Sequence, residues 1–137
     1  MFPLLVTAAI IDNDGKLLLT RRRGDVPYPM LWEFPGGKVE PDEDPGDGVV
    51  REIREELAIE VAVTGIYDVI YYRYPELTVL VLAYRCKWVS GEIRDVEVSE
   101  HRWVAPWDLD KLELLPADIS LAEKLCRDFT DANITRL

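Results

Sequence analysis

The sequence predicts an α/β (α+β) fold, a mixed β-sheet held between helices. Three observations predict it. Strand-like apolar runs bounded by turn residues open the chain and recur after its middle. A single change to helical periodicity separates the two groups, from Asp47 to Ala58. An amphipathic segment, Ala117 to Phe129, closes the order strands, helix, strands, helix. The 137 residues fit one domain, taken as 1–137, and 48% hydrophobic content is enough to bury a core.

The elements follow in order. Leu4 to Ile11 is an apolar strand that meets Asp12-Asn13-Asp14-Gly15, residues that tolerate positive φ and so mark a hairpin turn. Lys16 to Arg22 is the return strand, and Pro27 and Pro29 interrupt the pattern. Leu31 to Phe34 is a short apolar stretch ending at Pro35-Gly36-Gly37. Asp42 to Gly48 has loop chemistry, and the helix that follows carries Val49, Val50, Ile53 and Leu57 as its stripe. Further strands are expected at Glu60 to Val63, Tyr67 to Tyr74, Thr78 to Val89 and His101 to Ala105. Pro106 suits the first position of a helical turn.

Charge excludes several functions. Sixteen Lys and Arg against twenty-six Asp and Glu give a net charge of −10. Such a chain is a poor binder of nucleic-acid polymers or of anionic membranes. No apolar run reaches the ~18 residues of a membrane span, and Phe2 to Ile11 lacks the basic flank of a signal peptide. Cys86 and Cys126 lie in apolar segments and read as reduced core thiols of a cytoplasmic protein. A single histidine, His101, leaves carboxylates or a metal to carry any catalysis. An anionic substrate would need a bound divalent cation to reverse the local field.

The segment Arg51-Glu52-Ile53-Arg54-Glu55-Glu56-Leu57 concentrates that chemistry. At about 100° per residue, Glu55 lies ~60° behind Glu52 and Glu56 ~40° ahead of it. Three carboxylates therefore share one arc. Like charges at i,i+4 are mildly destabilising. The cluster is either a solvated face, with Arg51 pairing Glu55, or a site for a hard cation that takes oxygen ligands. Gly36-Gly37 precedes it and allows close backbone approach, with Lys38 and Glu43 following.

From Gly37 the spacing is five residues, Glu43, seven residues, Arg51-Glu52-Ile53, one residue, Glu55-Glu56, one residue, Ala58-Ile59. This resembles the Nudix box, Gly-x5-Glu-x7-Arg-Glu-U-x-Glu-Glu-x-Gly-U, where U is aliphatic. Ala58 stands where the box has glycine, so either the helix exits differently or a small strain is accepted. Leu31 to Glu40 resembles the MutT-like branch, which includes CTP pyrophosphohydrolases, and Leu115-Pro116-Ala117-Asp118 resembles its base-contacting segment.

The resemblance implies a Nudix α/β/α sandwich with a mixed β-sheet. It implies a Mg²⁺-dependent (or Mn²⁺-dependent) attack of water on a nucleoside triphosphate, releasing a monophosphate and pyrophosphate, by a monomer or a homodimer. Glu52, Glu55 and Glu56 would hold the metal with the Gly37 carbonyl. Arg51 would pair with Glu43 and brace the loop. The general base would be Glu52 or Glu97, with Glu100 a third candidate. Glu55 completes the catalytic set. Arg22 resembles a phosphate-contacting arginine, Lys38 would also meet substrate, and Phe34 would line the base pocket or the core. An ionised Asp118 only accepts hydrogen bonds, which suits cytosine N4; protonated by burial, it would also suit 8-oxoguanine. Asp118 could equally cap the helix that follows it. The expected activity is sanitising hydrolysis of an oxidised nucleotide such as 8-oxo-dGTP, which would serve DNA repair. The alternative is hydrolysis of plain or 5-substituted cytidine triphosphates. A different class, a nucleotide sensor without hydrolysis, conflicts with the retained glutamates.

Overall fold

The computed structural model describes residues 2–130; of the domain taken as 1–137, Met1 and residues 131–137 lie outside the described residues. Strand β1 (Leu4–Asn13) runs two residues further than its apolar stretch and turns at Asp14-Gly15 into β2 (Lys16–Arg21). Both turn residues have positive φ, 52° and 77°, as a tight hairpin turn with matched twist requires. Strand β3 (Trp32–Glu33) and strand β6 (Glu100–Val104) both pair antiparallel with β2.

Strands β4 (Glu60–Arg73) and β5 (Thr78–Ser90) form one long antiparallel hairpin. The expected separate strands at 60–63 and 67–74 are a single strand. Register shifts near Val63/Gly65 and Ile66/Asp68 let it carry extra residues without leaving the ladder, and they break the alternation that would have revealed its continuity. Strand β5 then lies parallel to β1, from Leu4 opposite Val79 to Ile11 opposite Cys86. The sheet is therefore mixed, in the order β3-β2-β1-β5-β4 with β6 also on β2.

Helix α1 (Pro45–Leu57) begins earlier than Asp47. The loop chemistry of Asp42 to Gly48 contains its start: the Asp44 carboxylate accepts from Gly46 N–H at 3.0 Å and Asp47 N–H at 3.3 Å. Pro45 takes a first-turn position where no amide is needed. The chain leaves the helix at Ala58 in the left-handed conformation, φ 59° and ψ 27°. A 3₁₀ turn at Pro106–Lys111 and another at Pro116–Asp118 precede α2 (Ile119–Thr130). The closing helix starts at Ile119 rather than Ala117 because Pro116-Ala117-Asp118 winds more tightly.

Period-two alternation sends side chains of one strand to opposite layers. Ala9 and Ile11 of β1 pack with Val49, Ile53 and Leu57 of α1. Ala8 and Ile10 pack on the other face with Leu121, Leu125 and Phe129 of α2. Cys86 is buried in the α1 layer, where burial pushes its thiol up to about 12. Cys126 is only partly buried, so just one of the two expected core thiols is a core residue. Both thiols are free. No described helix is long and apolar enough to cross a membrane.

Candidate active site

A cavity of about 570 Å³ opens between the end of β2, the Gly36-Gly37 loop, α1 and the β4–β5 turn. It gathers Arg22, Phe34, Gly37, Lys38, Glu52, Glu56, Glu97 and Asp118 from distant parts of the sequence. The Gly36-Gly37 loop reaches it because it packs against β1. A Cβ on Gly36 would lie 2.1 Å from the Thr7 carbonyl oxygen, and one on Gly37 would lie 2.5 Å from the Glu52 carboxylate. Only residues without a side chain permit both approaches.

Helix α1 supplies the acidic floor. The Glu52 and Glu56 carboxylates lie close enough to influence one another, and the Gly36 backbone amide lowers the pKa of Glu56 against the other effects. Burial raises both groups above the ordinary carboxylate range; for Glu56, Glu33 and then Glu52 push in the same direction. Two carboxylates in contact share a proton that a cation can replace. This donor set fits a hard divalent ion in part. Glu55 turns away onto Arg51, at 3.0 Å, and among the described residues no group of three His, Cys, Asp or Glu side chains is arranged to hold a metal as it stands. Recruiting Glu55 requires it to leave Arg51.

Arg51 is the hub of the surrounding loop. It donates to Glu43 through Nε at 2.8 Å and Nη2 at 3.0 Å, and its Nη1 reaches Glu52 at 3.0 Å. It also donates to the Lys38 carbonyl at 3.0 Å. The Arg51 hydrogen bonds draw Glu43 down to about 2. Glu43, Arg51 and Glu55 stand behind the cavity wall rather than on it.

The Gly37 carbonyl is engaged by Thr7. It accepts from Thr7 N–H at 2.8 Å and from the Thr7 hydroxyl at 3.2 Å. Gly37 also offers Glu52 room, since a Cβ there would meet its carboxylate. Glu97 sits in a loop and lines the cavity. Its loop is anchored on the end of α1, where Val96 and Glu97 N–H donate to the Glu56 carbonyl at 3.0 and 3.3 Å. Glu100 lies outside the cavity and pairs with Arg21 at 3.3 Å and Arg102 at 3.5 Å.

Arg22 donates twice to the Pro27 carbonyl, at 2.9 and 2.7 Å, and reaches Glu33 at 3.2 Å. Glu33 is a cavity residue that sequence reasoning missed. Burial lifts it to about 7 against the pull of Arg22. The available signal was a lone carboxylate inside the apolar stretch Leu31 to Phe34. Phe34 is both a core aromatic, 3% exposed, and a cavity residue. Its N–H donates to Asp118 Oδ2 at 3.0 Å. Asp118 therefore ties the 3₁₀ turn to the Phe34 backbone instead of capping α2, and burial raises it to about 8.

Residues 1–125 match the NUDIX domain family. The CTP pyrophosphohydrolase of Escherichia coli (strain K12) is 40% identical over 121 residues, covering 86% of this chain and 87% of that protein. The 8-oxo-dGTP diphosphatase of Haemophilus influenzae is 32% identical over 124 residues, covering 90% and 91%. Among solved structures, the E. coli ORF135 protein aligns with a TM-score of 0.84 at 36% identity, over 93% of this chain and 91% of that one. A MutT protein from Methanosarcina mazei Go1 aligns with a TM-score of 0.84 at 27% identity, over 94% and 97%.

Proposed function

The chain belongs to the NUDIX domain family, and on that premise we propose that it is a divalent-metal-dependent nucleoside triphosphate pyrophosphohydrolase of MutT type. The observation that carries the reading is the meeting of Glu52 and Glu56 on the floor of a cavity whose walls also present Arg22, Lys38 and Asp118. Anionic, cation-holding and base-sized features share one space.

Glu52 and Glu56, joined by Glu55 once it leaves Arg51, would hold Mg²⁺ (or Mn²⁺). A divalent ion bound there supplies charge neutralisation of the phosphates and acidifies a water. Arg51 keeps Glu52 and the 37–43 loop in register, through bonds to Glu43, Glu52 and the Lys38 carbonyl. Arg22 and Lys38 meet phosphate oxygens. Glu97 accepts the proton of the attacking water as the new P–O bond forms and the phosphoanhydride P–O bond breaks, with pyrophosphate as the leaving group. This assignment is supported by its place on the cavity wall, fixed to the carbonyl of Glu56.

The base pocket centres on Asp118. Oδ2 is engaged by the Phe34 N–H, so recognition falls to Oδ1. With the carboxyl raised to about 8, Asp118 is a neutral acid at pH 7 and presents a donor, which suits an acceptor such as O6 of 8-oxoguanine. That state would favour sanitising hydrolysis of 8-oxo-dGTP. The ionised state instead suits the N4 amino group of cytosine, and the 40% identity to a CTP pyrophosphohydrolase favours this second reading.

A panel of canonical and oxidised dNTPs and NTPs, read as kcat/KM with pyrophosphate and orthophosphate assayed separately, tests both. Pyrophosphate release with a preference for 8-oxo-dGTP or for cytidine triphosphates supports the corresponding reading. Tight nucleotide binding with no release of either product identifies a sensor and defeats the enzyme assignment.

A further inference from the structure

The cavity is lined near Asp118 by two aromatic residues, Tyr28 and Tyr74, that no catalytic role uses, with Tyr72 packed behind them. Tyr74, at the start of the β4–β5 turn, is buried, and its hydroxyl accepts from Ala117 N–H at 3.0 Å, one residue before Asp118. Tyr28, from the loop after β2, lies with its ring centroid 5.0 Å from that of Tyr74 at an interplanar angle of 55°. Tyr72 packs edge-on behind Tyr74 at 4.7 Å. Tyr28 is only partly buried and lines the cavity, so part of its ring surface is open to it.

Two features show that the position of Tyr28 is specifically held. Its backbone has φ 54°, a conformation that a bulky residue adopts only where its surroundings impose it. Its hydroxyl donates to Glu76 Oε1 at 2.6 Å, which joins the 24–31 loop to the β4–β5 turn across the cavity mouth. The Pro27 carbonyl next to it is gripped twice by Arg22. The loop is thus pinned at both the phosphate side and the base side.

We propose that Tyr28 is the stacking wall for the nucleobase and that Glu76 is the positioning residue that holds it there. Tyr74 backs the ring and ties it to the turn bearing Asp118. A flat π-surface stabilises any base, so this wall supplies affinity while Asp118 supplies choice. The proposal rests on the nucleotide reading above and extends it to residues outside the box.

The test is calorimetric binding of CMP, dGMP and ribose 5-phosphate in magnesium buffer. Wild type binds the two nucleotides more tightly than the sugar phosphate. Tyr28→Ala weakens both nucleotides by about five- to a hundredfold, the usual range for losing one base–aromatic stack, and leaves ribose 5-phosphate unchanged. Glu76→Ala and Tyr28→Phe each produce a smaller loss in the same direction. Glu76→Gln, which still accepts from the tyrosine, restores binding, and Glu76→Ala adds nothing in a Tyr28→Ala background. A base-dependent advantage undiminished in Tyr28→Ala, or an equal loss for ribose 5-phosphate, overturns the proposal. Wild type that binds nucleotides no better than ribose 5-phosphate overturns the nucleotide reading itself.

Discussion

The Glu52 carboxylate occupies the space that a side chain on Gly37 would fill, with the nearest carboxylate atoms 2.5 Å from the site of a Cβ. The backbone at Gly37 has no need of glycine for its torsion angles, as its φ lies outside the positive range. Gly37→Ala therefore displaces a flexible carboxylate rather than the chain. The expected result is a melting temperature close to wild type and a loss of at least about tenfold in kcat, since misplacing a reacting group by about 1 Å is that costly. Gly36→Ala is the contrast. Its Cβ would meet the Thr7 carbonyl oxygen at 2.1 Å, so thermal stability falls together with activity.

Ala58 ends α1 in a conformation that favours glycine, φ 59°, with its N–H on the Arg54 carbonyl at 3.0 Å. A non-glycine residue there costs about 1–2 kcal/mol. Glycine relieves this but gives back about 0.4–1 kcal/mol through the entropy of the unfolded chain. Ala58→Gly is expected to stabilise the protein by a net ~0.5–1 kcal/mol, a rise of a few degrees in a thermal melt, with kcat unchanged. A variant less stable than wild type would show that the alanine side chain makes packing contacts worth more than the strain.

Asp118 supplies a pH-dependent prediction. Burial raises its carboxyl from the ordinary 3.8 to about 8 in the folded protein. Between those values the folded chain keeps a proton that the unfolded chain has released. Its contribution to stability is therefore complete below pH ~4 and is lost as pH rises through about 8. Asp118→Asn does not titrate. Its unfolding free energy is expected to gain on wild type as pH rises from 5 to 8, by up to about 1.4 kcal/mol per pH unit. A constant difference across that range would show that Asp118 is ionised throughout. In kinetics the same substitution removes the pH dependence of base preference, read as the ratio of kcat/KM for 8-oxo-dGTP and CTP at pH 6 and 9.

Much of this site is legible in the sequence because helices convert spacing into geometry. Residues Glu52, Ile53, Glu56 and Leu57 repeat at helical intervals, and the structure places the two carboxylates together and the two aliphatics in the core. The hairpin at Asp14-Gly15 is legible for the same local reason: few residues tolerate positive φ. The rest depends on contacts far apart in sequence. Asp118 meets the amide of Phe34 across 84 residues, and Tyr28 meets Glu76 across 48, with no periodicity to announce either. The orientation of the Gly37 carbonyl is set by its bonds to Thr7, which are visible only once β1 and the loop are packed. Glu33 reads as an ordinary strand charge until burial and Arg22 define it. The continuity of β4 is hidden by its register shifts.

The most direct measurement is product analysis of a purified nucleoside triphosphate incubated with wild type and with Glu56→Gln, with Mg²⁺ present and after its removal by chelation. Wild type with Mg²⁺ should release pyrophosphate and nucleoside monophosphate in equal amounts. Chelation should stop the reaction, and Glu56→Gln should slow it by about a hundredfold or more, a typical penalty for weakening a bound metal or its coordination. Hydrolysis that continues without a divalent ion, or that is indifferent to Glu56, would contradict the assignment of this helix as the cation site.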